Sequence, residues 1–115
     1  MNGPAPTMEL LWWEGCPSWP EALEMLREAA AEHGLDPEGI EMIHVTTDAE
    51  AERRRFVGSP TIRVGGEELQ PPPPGEPFGL TCRVYRRRDG RVSPIPDPED
   101  LRELLRRATN DRRKR

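Results

Sequence analysis

The sequence predicts an α/β domain, with a central mixed sheet of four to five strands and helices on both faces. Three observations carry this expectation. Leu10, Leu11, Trp12 and Trp13 form an apolar run too short for a helix, which suits a strand buried on both faces. An amphipathic helix pattern follows, with Ala22, Leu23, Leu26, Ala29 and Ala30 on one face and Glu21, Glu24, Glu28 and Glu32 on the other. A second strand pattern over residues 40–46 then completes a strand–helix–strand unit, which closes as a right-handed crossover.

Each element has its own signals. Ser18 with Glu21 reads as a capping box, and Trp19 and Pro20 fit the first helical turn. Gly34 reads as the C-terminal stop, and Pro37 sits in the turn that follows. In the second strand, Met42 and His44 alternate with Ile43 and Val45, so both faces are expected to be partly covered. Thr47 with Glu50 is another capping box, opening a short helix through Phe56 with Ala49 and Phe56 buried. Gly58 and Ser59 break that helix; Thr61, Ile62 and Val64 make a strand; Gly65 and Gly66 turn it back, with Leu69 inward. Pro60 stands at a strand's first position, where its missing N–H does little harm.

Residues 71–74 are a tetraproline, expected to be a stiff, extended spacer outside any sheet interior. Phe78 and Leu80 are expected to tuck this loop onto the core. Cys82, Val84 and Tyr85 lie on a strand pattern, residues 88–91 turn, and Val92 pairs back. Asp97, Pro98, Glu99 and Asp100 open the last helix, whose stripe is Leu101, Leu104, Leu105 and Ala108. One domain over residues 8–109 follows, with residues 1–7 and 110–115 as flexible termini.

The composition narrows the function classes. The chain has 115 residues, enough for one domain with a modest core. No apolar stretch is long enough for a membrane span, and the N-terminus has no basic region followed by an apolar signal core, so a cytoplasmic location is expected. Residues 1–50 carry eleven acids against one base, Arg27, whereas residues 51–115 carry ten acids against sixteen bases. This asymmetry suits either an oriented partner or pairing between the halves. Arg53, Arg54 and Arg55 read as a solvated helix end, and the RRKR end as a basic tail. Neither has the interleaved aromatics of a nucleic-acid surface. Glycine-rich phosphate loops, serine–histidine–acid sets and metalloprotease motifs are missing, and no cofactor is implied.

Chemistry concentrates at the two cysteines, Cys16 and Cys82. Cys16 lies between the first strand and a helix N-terminus, where free N–H groups and the helix dipole favour a thiolate over the usual thiol of pKa ~8.5. The competing reading is a buried, inert cysteine. Two thiols are too few for a four-cysteine zinc site. His33 reads as a helix-end residue and His44 as a strand residue, not as metal ligands.

The order of elements, with the motifs GCPSW and GSPTIRVGG, resembles the thioredoxin-like fold over most of residues 8–70. The later CRVY segment and proline-opened helix are similar to small bacterial thioredoxin-like proteins related to alkylmercury lyases. The resemblance implies that Cys16 is the nucleophilic first cysteine of a degenerate C-x-x-C motif, with Pro17 and Trp19 beside the substrate. It implies that Pro60 is a cis-proline facing that turn, displacing the trans default of X–Pro bonds, and that Ser59 offers backbone groups to an extended substrate. Trp19 occupies the place of the second motif cysteine, so resolution falls to Cys82 or to an external thiol.

Three functions compete at this stage. The first is a thiol-disulfide oxidoreductase acting on a protein or small-molecule disulfide through Cys16, with Cys82 as the candidate resolving thiol. The second is a non-catalytic binding protein on a thioredoxin-like scaffold. The third is soft-metal or organomercurial binding by the two thiolates.

Overall fold

The structure, a computed structural model, describes residues 5–113. Its elements are β1 (Met8–Trp12), α1 (Trp19–Glu32), β2 (Ile40–His44), α2 (Asp48–Arg53), β3 (Thr61–Val64), β4 (Glu67–Glu68), β5 (Tyr85–Arg86), β6 (Val92–Ser93) and α3 (Pro98–Arg113). Strands order β2-β1-β3-β4 in a mixed sheet, and β5 and β6 form a separate ribbon. β1 runs parallel to β2 and antiparallel to β3, with Leu10 opposite Met42 on one side and Ile62 on the other. This is a mixed four-stranded α/β sheet, compatible with a thioredoxin-like arrangement.

Strand alternation divides the core. Met8, Leu10, Ile62 and Val64 pack with Leu26 of α1 and with Leu101, Leu104 and Leu105 of α3. Leu11 points the other way and joins Ile43, Val45, Ala51 and Phe56 around α2. Helices therefore cover both faces. At the sheet edge the cover is thinner than the sequence suggests. Met42 and His44, opposite Leu10 and Trp12, are exposed because β2 is the edge strand and the α1–α3 layer ends there.

The helix ends follow local chemistry with two departures. Ser18 has helical angles (φ −97°, ψ −8°) and its side chain caps nothing, so the first expected capping box does not form. At α2 the box is shifted. Thr47 Oγ1 accepts from the Glu50 N–H at 3.0 Å, while Glu50 Oε1 accepts from the Thr46 N–H at 3.1 Å, one residue earlier than expected. These bonds hold the Glu50 carboxyl below its ordinary range, led by the one from the Thr46 backbone. α2 ends at Arg53, short of Phe56, and buries Ala51 where Ala49 was expected. Gly34 (φ +73°) and the Leu35 N–H, which donates to Ala30 O at 2.9 Å, close α1 as foreseen, and buried Leu35 packs beneath.

Further corrections concern the second half. Phe78 is 42% exposed, and Leu80 alone packs against the Phe56 cluster. α3 continues through Arg113, so residues 110–113 are helical where a flexible end was expected; residues 1–4 and 114–115 lie outside the described residues. Asp97 caps α3 by accepting from the Glu99 N–H at 2.9 Å and also accepts from the Arg88 N–H at 3.0 Å. The acidic and basic halves scarcely pair. Among the described residues Arg102–Glu32, at 3.1 Å, and the local pair Arg54–Glu50, at 3.2 Å, bridge them, while Arg63, Arg83, Arg88 and Arg107 find acids within the second half.

The contrast between the two caps is testable by urea denaturation. Thr47→Ala removes a formed cap and is expected to cost about 1 kcal/mol. Ser18→Ala removes a hydroxyl that caps nothing and should change stability by less than about 0.5 kcal/mol.

Candidate functional site

Cys16 follows a tight turn closed by its own N–H, which donates to Trp13 O at 3.1 Å. Trp13 folds back over this turn, and a Cβ on Gly15 would meet the indole at 2.3 Å. A larger residue there would have to displace the far end of the Trp13 side chain. Trp19, at the start of α1, stacks obliquely on Trp12 (centroids 4.4 Å apart), and Trp12 stacks flat on His44 at 4.0 Å. The His44 Nε2 lies 3.2 Å from Glu14 Oε1. Trp19 is thus tied into an aromatic ladder at the edge of the turn, and Pro17 is exposed.

The exposed thiol expected at residue 16 is not what the fold provides. Cys16 is 1% exposed, and its Sγ donates to Ser59 O at 3.3 Å. The turn folds inward because the loop before β3 lies directly over it. The Ser59–Pro60 peptide bond in that loop is cis, and both residues are buried.

The loop's polar groups are consumed internally. Ser59 N–H donates to Thr81 O, and Ser59 O accepts from Arg83 N–H, both at 2.8 Å. Thr61 Oγ1 donates to Gly58 O at 2.6 Å, and Tyr85 Oη donates to Pro60 O at 2.5 Å. Ser59 therefore has no free backbone group to offer a substrate, contrary to the expectation from sequence. Residues 81–83 occupy that edge through an isolated parallel bridge between Ser59 and Cys82. The Ser59 hydroxyl is buried without a hydrogen-bond partner.

Cys82 arrives at the site by this pairing. The residue is exposed, and both cysteines are free thiols. Burial raises the Cys82 thiol above its ordinary range; hydrogen bonding and charge repulsion with Cys16 raise it further. Both thiols thus meet the same peptide unit: Cys16 Sγ donates to the Ser59 carbonyl, and Cys82 is the bridge partner of Ser59. Among the described residues no group of three His, Cys, Asp or Glu side chains is placed to hold a metal, so the thiols stand as a pair.

Sequence reasoning missed what holds this segment down. Cys82, Val84 and Tyr85 were expected on one strand with no facing assigned; in the structure Arg83 and Tyr85 are buried while Cys82 and Val84 face out. Arg83 Nη1 pairs with Glu68 Oε2 at 2.7 Å and donates to Thr61 Oγ1 at 3.3 Å. Its Nη2 donates to Leu69 O at 3.1 Å and to Gln70 O. The guanidinium lies 4.6 Å from the Tyr85 ring centroid, a cation–π contact. Glu68 is shared with Arg63, at 3.0 Å. The available signal was the alternation of Arg83 and Tyr85 with acidic Glu67 and Glu68 in the preceding hairpin.

On its outer side Cys82 borders a groove of about 490 Å³, whose other walls include Val57, Pro71, Pro72, Pro77 and Val84. The tetraproline is outside the sheet, as expected, and forms one wall of this groove. No helix among the described residues is long and apolar enough to cross a membrane.

No family model, curated protein or solved structure matches this chain.

Two outcomes test this geometry. Gly58 has φ +151°, and a Cβ there would meet Arg83 N and Cβ at 2.9 Å. Gly58→Ala should therefore cost about 2 kcal/mol or more in urea denaturation by forcing residues 81–83 away. Burial raises the Tyr85 hydroxyl far above its ordinary pKa of 10. Above about pH 10 the unfolded chain releases this proton while the folded chain retains it, so stability falls as pH rises toward the folded value. Denaturation at pH 8 and 11 should show a smaller alkaline loss in Tyr85→Phe than in the parent.

Proposed function

We propose that this chain is a thiol-disulfide oxidoreductase of thioredoxin-like type whose redox pair is Cys16 and Cys82. The observation that carries the reading is the meeting of both thiols at Ser59. Cys16 Sγ donates to its carbonyl, and Cys82 is its strand partner. Oxidation of the pair joins the two sulfurs and delivers two electrons to a substrate disulfide, which leaves as two thiols. Cys82 takes the resolving place that Trp19 leaves empty in the turn. An internal pair also accommodates the burial of Cys16, because only one of its sulfurs has to be reached from solvent. The partner is a protein or small-molecule disulfide, and no cofactor is needed. In the cytoplasm, thiol pools would return the bridge to the dithiol.

The test is oxidation with excess oxidised dithiothreitol, followed by alkylation and peptide mapping. A Cys16–Cys82 bridge in the monomer is the expected product. Disulfide reduction coupled to dithiothreitol should fall at least about 100-fold in Cys16→Ser or Cys82→Ser, as for residues that act as a unit. Oxidation giving only intermolecular disulfides, or serine variants that turn over like the parent, would leave a non-catalytic binding role as the better reading.

A further inference from the structure

Cys82 forms an isolated parallel bridge with Ser59, which leaves residues 81–83 with one bonded side and one open side. Thr81 C=O and Arg83 N–H face inward and bond Ser59. In an extended strand the N–H and C=O of the intervening residue point the opposite way. Neither backbone group of Cys82 has a hydrogen-bond partner among the described residues, and the residue is exposed. The groove beside it mixes proline rings, Val57 and Val84 with polar Gln70, Glu76 and Arg83. Proline rings cannot donate to a ladder, so that wall can receive an added strand without offering a competing edge. An unpaired residue beside a trough of mixed lining suits strand addition, in which main-chain bonds hold the guest and trough walls read its side chains.

We infer that Cys82, not Cys16, is the thiol that meets the substrate, and that the substrate is a disulfide carried on an extended polypeptide segment pairing with the Cys82 backbone along this groove. The inference rests on the Cys16–Cys82 exchange reading and assigns its order. Exposed Cys82 attacks one sulfur of the substrate disulfide through the small thiolate fraction that its raised thiol leaves, reachability rather than acidity deciding the order. The bond between Cys82 and that sulfur forms, the substrate S–S bond breaks, and the departing sulfur leaves as a thiolate that takes a proton. Cys16 then attacks Cys82 Sγ. The internal disulfide forms, the second substrate sulfur leaves as a thiol, and the substrate has gained two electrons and two protons. An external dithiol restores the pair. Buried Cys16 is reached only by its neighbour, which keeps its thiolate from other electrophiles.

The probe is a seven-residue peptide of β-branched residues whose central cysteine is disulfide-bonded to thionitrobenzoate, with release of the coloured thiol followed in time. The Cys16→Ser chain should release the dye and retain the peptide as a stable mixed disulfide at Cys82. The parent should go on to free the peptide thiol. Cys82→Ser should react at least about 100-fold more slowly, because the remaining thiol is sealed. N-methylation of the peptide bonds flanking the central cysteine should slow reaction of the Cys16→Ser chain by about 10-fold, as loss of one or two main-chain bonds implies. Substoichiometric iodoacetamide on the reduced parent, which requires no variant to fold, should label Cys82 before Cys16. Equal or faster trapping by Cys82→Ser, or labelling of Cys16 first, would overturn the order while leaving the pair intact. An unchanged rate with the N-methylated peptide would overturn the extended-peptide substrate. Absence of the internal bridge after oxidation would instead remove the exchange reading itself.

Discussion

Arg83 is an arginine with almost no solvent exposure in a domain whose core is thin, and its charge is met by Glu68 of the β3–β4 hairpin. The same guanidinium donates to the carbonyls of Leu69 and Gln70 and lies against Tyr85. Breaking a buried pair by removing one partner costs about 3–5 kcal/mol, because the remaining charge stays desolvated. That penalty makes residues 81–85 part of the fold, although among them only Tyr85 lies in a regular strand. Without this anchor the segment that bears Cys82 would be a surface loop.

The anchor acts on the site through the cis Ser59–Pro60 loop. Arg83 N–H and Thr81 C=O bind Ser59, Tyr85 Oη binds Pro60 O, and Gly58 has no Cβ to keep the strand away. Cys16 reaches the same Ser59 carbonyl from the opposite element, the turn between β1 and α1. Two thiols separated by much of the chain therefore share one peptide unit as a meeting point. The chain's own residues 81–83 take the Ser59 backbone groups, and the backbone of Cys82 is left facing outward.

Elements with a strong local signal were legible. The apolar run at β1, the α1 stripe, the paired glycines of the hairpin and the Asp97–Pro98 start of α3 each follow from chemistry within a few residues. Misreadings cluster where a distant residue decides. Ser18 looked like a cap but holds helical angles, and β2 looked covered until its edge position left Met42 and His44 in water. In residues 82–85 the apolar positions Cys82, Val84 and Tyr85 assigned no facing, and the burial of Arg83 against Glu68 decided it.

From the sequence alone came the layered α/β class and the placing of Cys16 between a buried strand and a helix start. These depend on periodicity and turn chemistry, which are local. Only the tertiary structure decided that Cys16 is enclosed, that Cys82 is exposed beside it, and that Ser59 is occupied by residues 81–83. Those outcomes depend on which strand pairs with which loop. That choice is made by a buried charge finding its partner fifteen positions away in the chain, which no window of neighbouring residues contains.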